Sequence, residues 1–190
     1  MRPVLRSELL DLGAYEEVRE RFRARIIGVK RHRYVALGPA MTLLFENRDT
    51  VLYQVQEMLR TERITNEKAI LHELETYNEL VPGEHELSAT VFVEFPEREE
   101  RERMLVALAG VEDDFYVRIA DERLAVIPDQ RGTEPDRTMA VQYVKFPLSS
   151  TAEAALRGGG AVYVGVEHPA YRAEVLLPAE TVASLRDDLE

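Results

Sequence analysis

The sequence predicts an α+β fold. A mainly helical N-terminal half with one short hairpin runs to about Gly83, and a tandem β-α-β-β duplication with a closing helix follows. Three observations carry that prediction. Two stretches before Gly83 repeat apolar residues at the helical period behind a capping residue. Beyond it, one set of landmarks occurs twice: Phe95-Pro96 and Phe146-Pro147, Glu102/Leu105 and Glu153/Leu156, Tyr116-Val117 and Tyr163-Val164, Ile127-Pro128 and Leu177-Pro178. Pro96 to Pro128 spans 32 residues and Pro147 to Pro178 spans 31, so equivalent segments are expected to form equivalent units. Finally, 190 residues with 45% hydrophobic and 31% charged content suit a single compact domain over 1–190.

The elements follow in order. Ser7 is the expected N-cap of a first helix, with Leu9, Leu10 and Leu12 behind it; Gly13 interrupts it, and 15–27 continues as helix. Residues 34–37 and 40–45 read as strands around a Gly38-Pro39 turn. Asn47 caps a helix to about Arg60, with Asp49 in its first turn and Val51, Leu52, Val55, Met58 and Leu59 as its apolar stripe. Thr65 or Asn66 caps the next helix, which carries Ile70, Leu71, Leu74 and Tyr77 and stops at Pro82-Gly83. The two copies occupy about 87–128 and 140–178. The first reads as strand 87–95, helix 97–109 and a hairpin of 115–119 with 123–127. The second reads as strand 140–146, helix 150–156 and strands 161–166 and 172–177, before a helix over 179–189. Proline after each first strand fits, since it ends a ladder and suits the first turn of a helix. A polar loop over 131–136 is the expected seam. The two units are expected to pack into one antiparallel or mixed sheet, or a half-barrel.

Composition excludes several chemistries. A net charge of −11 opposes nonspecific nucleic-acid binding, which requires a cationic field. With no cysteine, the chain has no disulfide, thiolate zinc site or cysteine nucleophile of its own. The longest uncharged run, 34–45, is interrupted by Gly38-Pro39 and is too short to span a bilayer. A cytoplasmic location without membrane association is the expectation.

Four patterns bear on chemistry. Arg19, Arg21, Arg23, Arg25, Lys30, Arg31 and Arg33 form a basic run, but Arg21/Arg25 and Arg19/Arg23 fall on different helix faces, and Glu16, Glu17 and Glu20 lie within pairing distance. Pairing with the chain's own acids accounts for it better than an anion site. Arg48, Asp49, Tyr53, Gln56, Glu57 and Arg60 line a polar stripe which, with Tyr77 of the following helix, is a candidate ligand-binding set; capping and intrahelical pairs are the plainer account. Glu46 and Asp49 put negative charge at that helix N-terminus and oppose a phosphate there. Glu57, Glu62, His72 and Glu75 are weak candidates for a carboxylate and histidine metal site, since the sequence contains neither Glu-x-x-His nor His-x-x-x-His. No serine stands in a nucleophile motif, the glycines 158–160 read as a helix C-cap and turn, and His168 reads as turn surface. No catalytic residue and no cofactor is identified.

Glu46-Asn47-Arg48-Asp49-Thr50-Val51, with Tyr53-Gln54, Gln56-Glu57-Met58, Arg60, Glu62, Tyr77-Asn78, Leu80, Pro82-Gly83 and Glu86-Leu87-Ser88-Ala89-Thr90, resembles a bacterial family known as domain of unknown function 3501, over nearly the whole chain. The resemblance implies a setting near rubrerythrin-like and iron–sulphur redox proteins, and brings no catalytic residue. The leading expectation is therefore an accessory or binding protein with a redox-associated protein partner, with self-association left open. The alternative is a small-ligand binder or enzyme whose polar pocket lies between the helices at 47–60 and 66–81.

Overall fold

The computed structural model describes residues 1–129 and 134–189; the expected loop over 131–136 lies partly outside them. The chain is α+β, with two antiparallel sheets among the described residues.

The N-terminal half supplies α1 (Leu12–Arg31), the hairpin β1 (Tyr34–Ala36) and β2 (Met41–Glu46), then α2 (Arg48–Thr61) and α3 (Glu67–Asn78). Asp11, not Ser7, caps α1: its carboxylate accepts from the Ala14 N–H at 2.8 Å. Residues 6–8 form only a 3-10 turn, and Gly13 sits within the first turn of α1 without ending it. Asn47 and Asn66 cap α2 and α3 as their positions require, each side-chain oxygen accepting backbone N–H groups that a helix start leaves unpaired. The apolar stripes of α2 and α3 then meet in one cluster, Val51, Val55 and Leu59 against Ile70 and Leu74, joined by Leu80 just beyond α3.

The second half supplies β3 (Glu86–Val93), α4 (Arg98–Ala107), β4 (Phe115–Ile119), β5 (Glu122–Ala125), β6 (Ile127–Pro128), β7 (Val141–Pro147), α5 (Ser150–Arg157), β8 (Val162–His168), β9 (Tyr171–Leu176) and α6 (Ala179–Asp187). The larger sheet has the order β1-β2-β3-β7-β6 and the smaller β5-β4-β8-β9. The strands of each β-α-β-β unit are therefore divided between two antiparallel sheets, where the sequence predicted that both units pack into one sheet or a half-barrel. The first strand of each unit enters the larger sheet, where β3 pairs with β7, and the hairpin enters the smaller one, where β4 pairs with β8. The run expected as one strand over 123–127 also divides. Residues through Ala125 pair with β4, while Ile127 and Pro128 cross to pair with Lys145 and Val144 of β7.

The inner faces of both sheets share one core, with Leu43, Phe45, Val91 and Phe146 from the larger and Phe115, Val117, Val164 and Val166 from the smaller. Leu105 of α4, Leu156 of α5 and Leu185 of α6 close it. The other face of the larger sheet carries Leu44, Glu46, Ser88, Thr90, Phe92, Tyr143 and Lys145, since side chains alternate along each strand. Leu44, Glu46 and Tyr143 of that face line cavities together with residues of α2 and α3.

His168, expected at a turn surface, is instead buried. The Ala170 N–H donates to its Nδ1 at 3.1 Å, so the ring proton resides on Nε2, which donates to the Ala109 carbonyl at 3.3 Å. No helix among the described residues is long and apolar enough to cross a membrane.

Candidate functional site

The polar stripe of α2 faces α1 and the segment before it. Glu57 accepts from the Tyr15 hydroxyl at 2.6 Å and from the Arg19 fork at 2.8 and 2.9 Å. Those donors hold the Glu57 carboxyl below its ordinary range, the Arg19 hydrogen bonds contributing most. Burial, then Glu57 itself, pushes the Tyr15 hydroxyl well up. Asp49 pairs with Arg25, Arg60 with Glu16 at 2.6 Å, and Arg48 with Glu8. Tyr53 packs edge-on against Phe22, with ring centroids 5.8 Å apart, and Lys30 Nζ stands 5.6 Å from its ring centre. Gln56 is buried and bonds both backbone groups of Leu10, each at 3.0 Å. Six of the seven candidate ligand residues thus join α2 to α1 and to the residues that precede it. Glu62 caps the C-terminus of α2, and His72 and Glu75 lie exposed on α3; among the described residues no three His, Asp or Glu side chains cluster as metal ligands would.

Tyr77, the seventh, faces a different place. It lines a groove between α2, α3 and the outer face of the larger sheet, where three cavities of about 200, 240 and 300 Å³ all share Leu80 and Tyr143. The smallest of the three is walled by Val51, Tyr77, Phe92, Val141 and Tyr143, with Gln54 and Lys30 beside them. Burial pushes the Tyr77 hydroxyl up, against a hydrogen bond with Gln54. Glu46 also lines this cavity, at 8% exposure. Its carboxylate accepts from the Thr90 hydroxyl at 2.6 Å and from the Thr50 hydroxyl. Among the described residues it makes no ion pair, although a buried carboxylate is stabilised most by a cation.

Local rules place Glu46 there. It is the last residue of β2, and alternation from the core-facing Phe45 turns it to the helix side. Asn47 then caps α2 with its own side chain, Thr50 N–H to Asn47 Oδ1 at 3.0 Å and Asn47 N–H to Thr50 Oγ1 at 2.9 Å. Asn47 is thus the cap the sequence predicts, and the Glu46 carboxylate takes no part in it. Sequence reasoning does not single out Thr90, Phe92 or Tyr143 as site residues; the available signal is a charged residue closing the largely apolar strand 41–45, and Thr90 two residues from Ser88 on one face of β3.

The sequence profile of a family described as "Protein of unknown function (DUF3501)" matches residues 3–189. The crystal structure of a protein of unknown function from Burkholderia pseudomallei K96243 is similar over 100% of both chains, with 35% sequence identity and a TM-score of 0.94. No curated protein matches the sequence.

Proposed function

We propose, for a chain that belongs to the DUF3501 family, that it binds a small molecule carrying an ammonium group on a partly apolar body, in the groove between α2, α3 and the larger sheet. One observation carries this reading: the Glu46 carboxylate is buried on the wall of an aromatic-lined cavity with two hydroxyl donors and no cationic partner among the described residues. A ligand ammonium supplies the missing charge, while Tyr77, Phe92 and Tyr143 offer ring faces that attract a cation and cover its carbon skeleton. Lys30 also lines this cavity and offers a cation to an acidic group on the ligand, which favours amino-acid-like zwitterions. The redox-accessory role implied by the family resemblance draws on no residue of this groove.

The test is calorimetric titration of the purified protein with amino acids and simple amines, each beside a neutral isostere. Ammonium compounds are expected to bind and their neutral isosteres to bind far more weakly. Glu46→Gln, with folding checked by circular dichroism, is expected to weaken binding about thirtyfold or more. Absence of binding by every ammonium compound, or an unchanged affinity in Glu46→Gln, overturns the reading.

A further inference from the structure

Among the described residues the two sheets leave four edge strands, and three of them are blunted. β1 is three residues long, β5 is four, and β6 is two and contains Pro128. Short or proline-bearing edges resist pairing with another chain. The fourth edge, β9, runs six residues, Tyr-Arg-Ala-Glu-Val-Leu, without proline, glycine or lysine.

The backbone of β9 has a definite open side. Leu177 N–H donates to the Val162 carbonyl at 2.8 Å, and the register continues that pairing through Val164–Val175, Val166–Ala173 and His168–Tyr171. Bonded and non-bonded pairs alternate in an antiparallel ladder, so the N–H and C=O groups of Arg172, Glu174 and Leu176 point away from β8. The side chains of the same three residues are exposed on the outer face of the sheet, Leu176 at 52%.

We propose that two copies of the chain pair edge to edge through β9, joining their smaller sheets across a two-fold axis at Ala173. The charge order of the strand selects that register. With the axis at Ala173, Arg172 of each copy stands opposite Glu174 of the other, which gives two opposite-charge pairs between residues whose backbone groups both face outward. With the axis at Glu174 the two glutamates oppose each other, and with it at Arg172 the two arginines do. The register at Ala173 also sets the exposed Leu176 against Ala170 of the second copy. Glu174 already accepts from Arg118 at 2.7 Å and from Tyr116 at 3.0 Å within its own copy, so Arg172 of the second copy joins it as a second cation, while Glu167 beside the junction pairs with Arg123 at 2.7 Å.

Analytical ultracentrifugation of the full chain tests this. The wild type is expected to sediment at twice the 21.7 kDa chain mass. Arg172 makes no hydrogen bond or ion pair among the described residues but stands opposite Glu167 in the β8 register, so the folding of Arg172→Glu is checked by circular dichroism; the variant is expected to raise the dimer dissociation constant about tenfold or more by setting like charges across both pairs. Adding Glu174→Arg to that variant restores opposite charges and is expected to restore the dimer. Arg172→Pro removes an outward N–H without touching the β8 ladder and is expected to yield monomer. A wild type that stays monomeric, a dimer indifferent to Arg172→Glu and Arg172→Pro, or a double reversal as dissociated as the single one overturns the proposal.

Discussion

At Gly165 the missing side chain is what lets Tyr116 lie flat on the smaller sheet. A Cβ there would stand 2.2 Å from Tyr116 Cζ. The ring placed by that gap supports the Arg123 guanidinium 3.6 Å above it, and its hydroxyl donates to Glu174. Gly165→Ala is expected to cost about 1–3 kcal/mol in urea denaturation, as overpacking does, and to release the tyrosine; a midpoint equal to wild type contradicts this account of the glycine. Glu46 shows the limit of reading such residues from sequence. Its place beside Asn47 and Asp49 reads as helix-end electrostatics, whereas its burial depends on Thr90, which lies 44 positions away and meets it only through the β2–β3 register. Tyr77 reads in the sequence as part of the apolar set of its helix and as a candidate ligand residue, and the structure places it on the groove. Its partners Phe92 and Tyr143 belong to strands whose neighbours no local pattern reveals.

Among elements, the seam between α1 and α2 is electrostatic where the α2–α3 contact is apolar. Arg19–Glu57, Arg25–Asp49 and Glu16–Arg60 run along it, and Arg48–Glu8 continues it onto the segment ahead of α1. The Arg48 hydrogen bond, helped by the Leu5 N–H, holds the Glu8 carboxyl at about 2, and Glu57 is likewise depressed. Groups with folded values below their unfolded value of 4.5 contribute stability above pH 4.5 and lose it as pH falls through the depressed values. The chemical-denaturation midpoint is therefore expected to hold level down to about that pH and to decline below it, more gently in Glu57→Gln, which has less acid sensitivity left to lose. Partial exposure of these pairs limits the size of the effect, and added salt reduces it further. The helices themselves were readable: Asn47 and Asn66 cap where a short polar residue precedes an apolar period. The seam was not. Periodicity assigns Asp49, Tyr53, Glu57 and Arg60 to one face of α2, but that Arg25, Phe22, Arg19 and Glu16 lie opposite follows only from how α1 packs. The division of 123–127 between two sheets was equally hidden, because no glycine or proline marks the crossing at Val126.

Over the whole molecule, a buried fork ties the two ends of the fold together. Arg33, just beyond α1, donates to both oxygens of Asp188 at 2.7 and 2.6 Å and to the Ser184 carbonyl at 2.9 Å, with the two side chains 2% and 7% exposed. Burial pushes the Asp188 carboxyl up while Arg33 pulls it back. Arg33→Ala is expected to cost about 3–5 kcal/mol in urea denaturation because it strands a buried acid, whereas Arg33→Met combined with Asp188→Leu costs much less; equal losses in the two variants contradict that explanation. The division of each unit between two sheets has a consequence for biosynthesis. When a ribosome has delivered the chain through β5, it has made part of both sheets and finished neither, because β3 still lacks β7 and β4 still lacks β8. The strand edges left open are the central ones, lined by core residues such as Val91 and Val117. Growth of the chain and growth of its structure are therefore out of step, and the nascent protein must be kept from sticking to its neighbours until its second half has been released to complete the first.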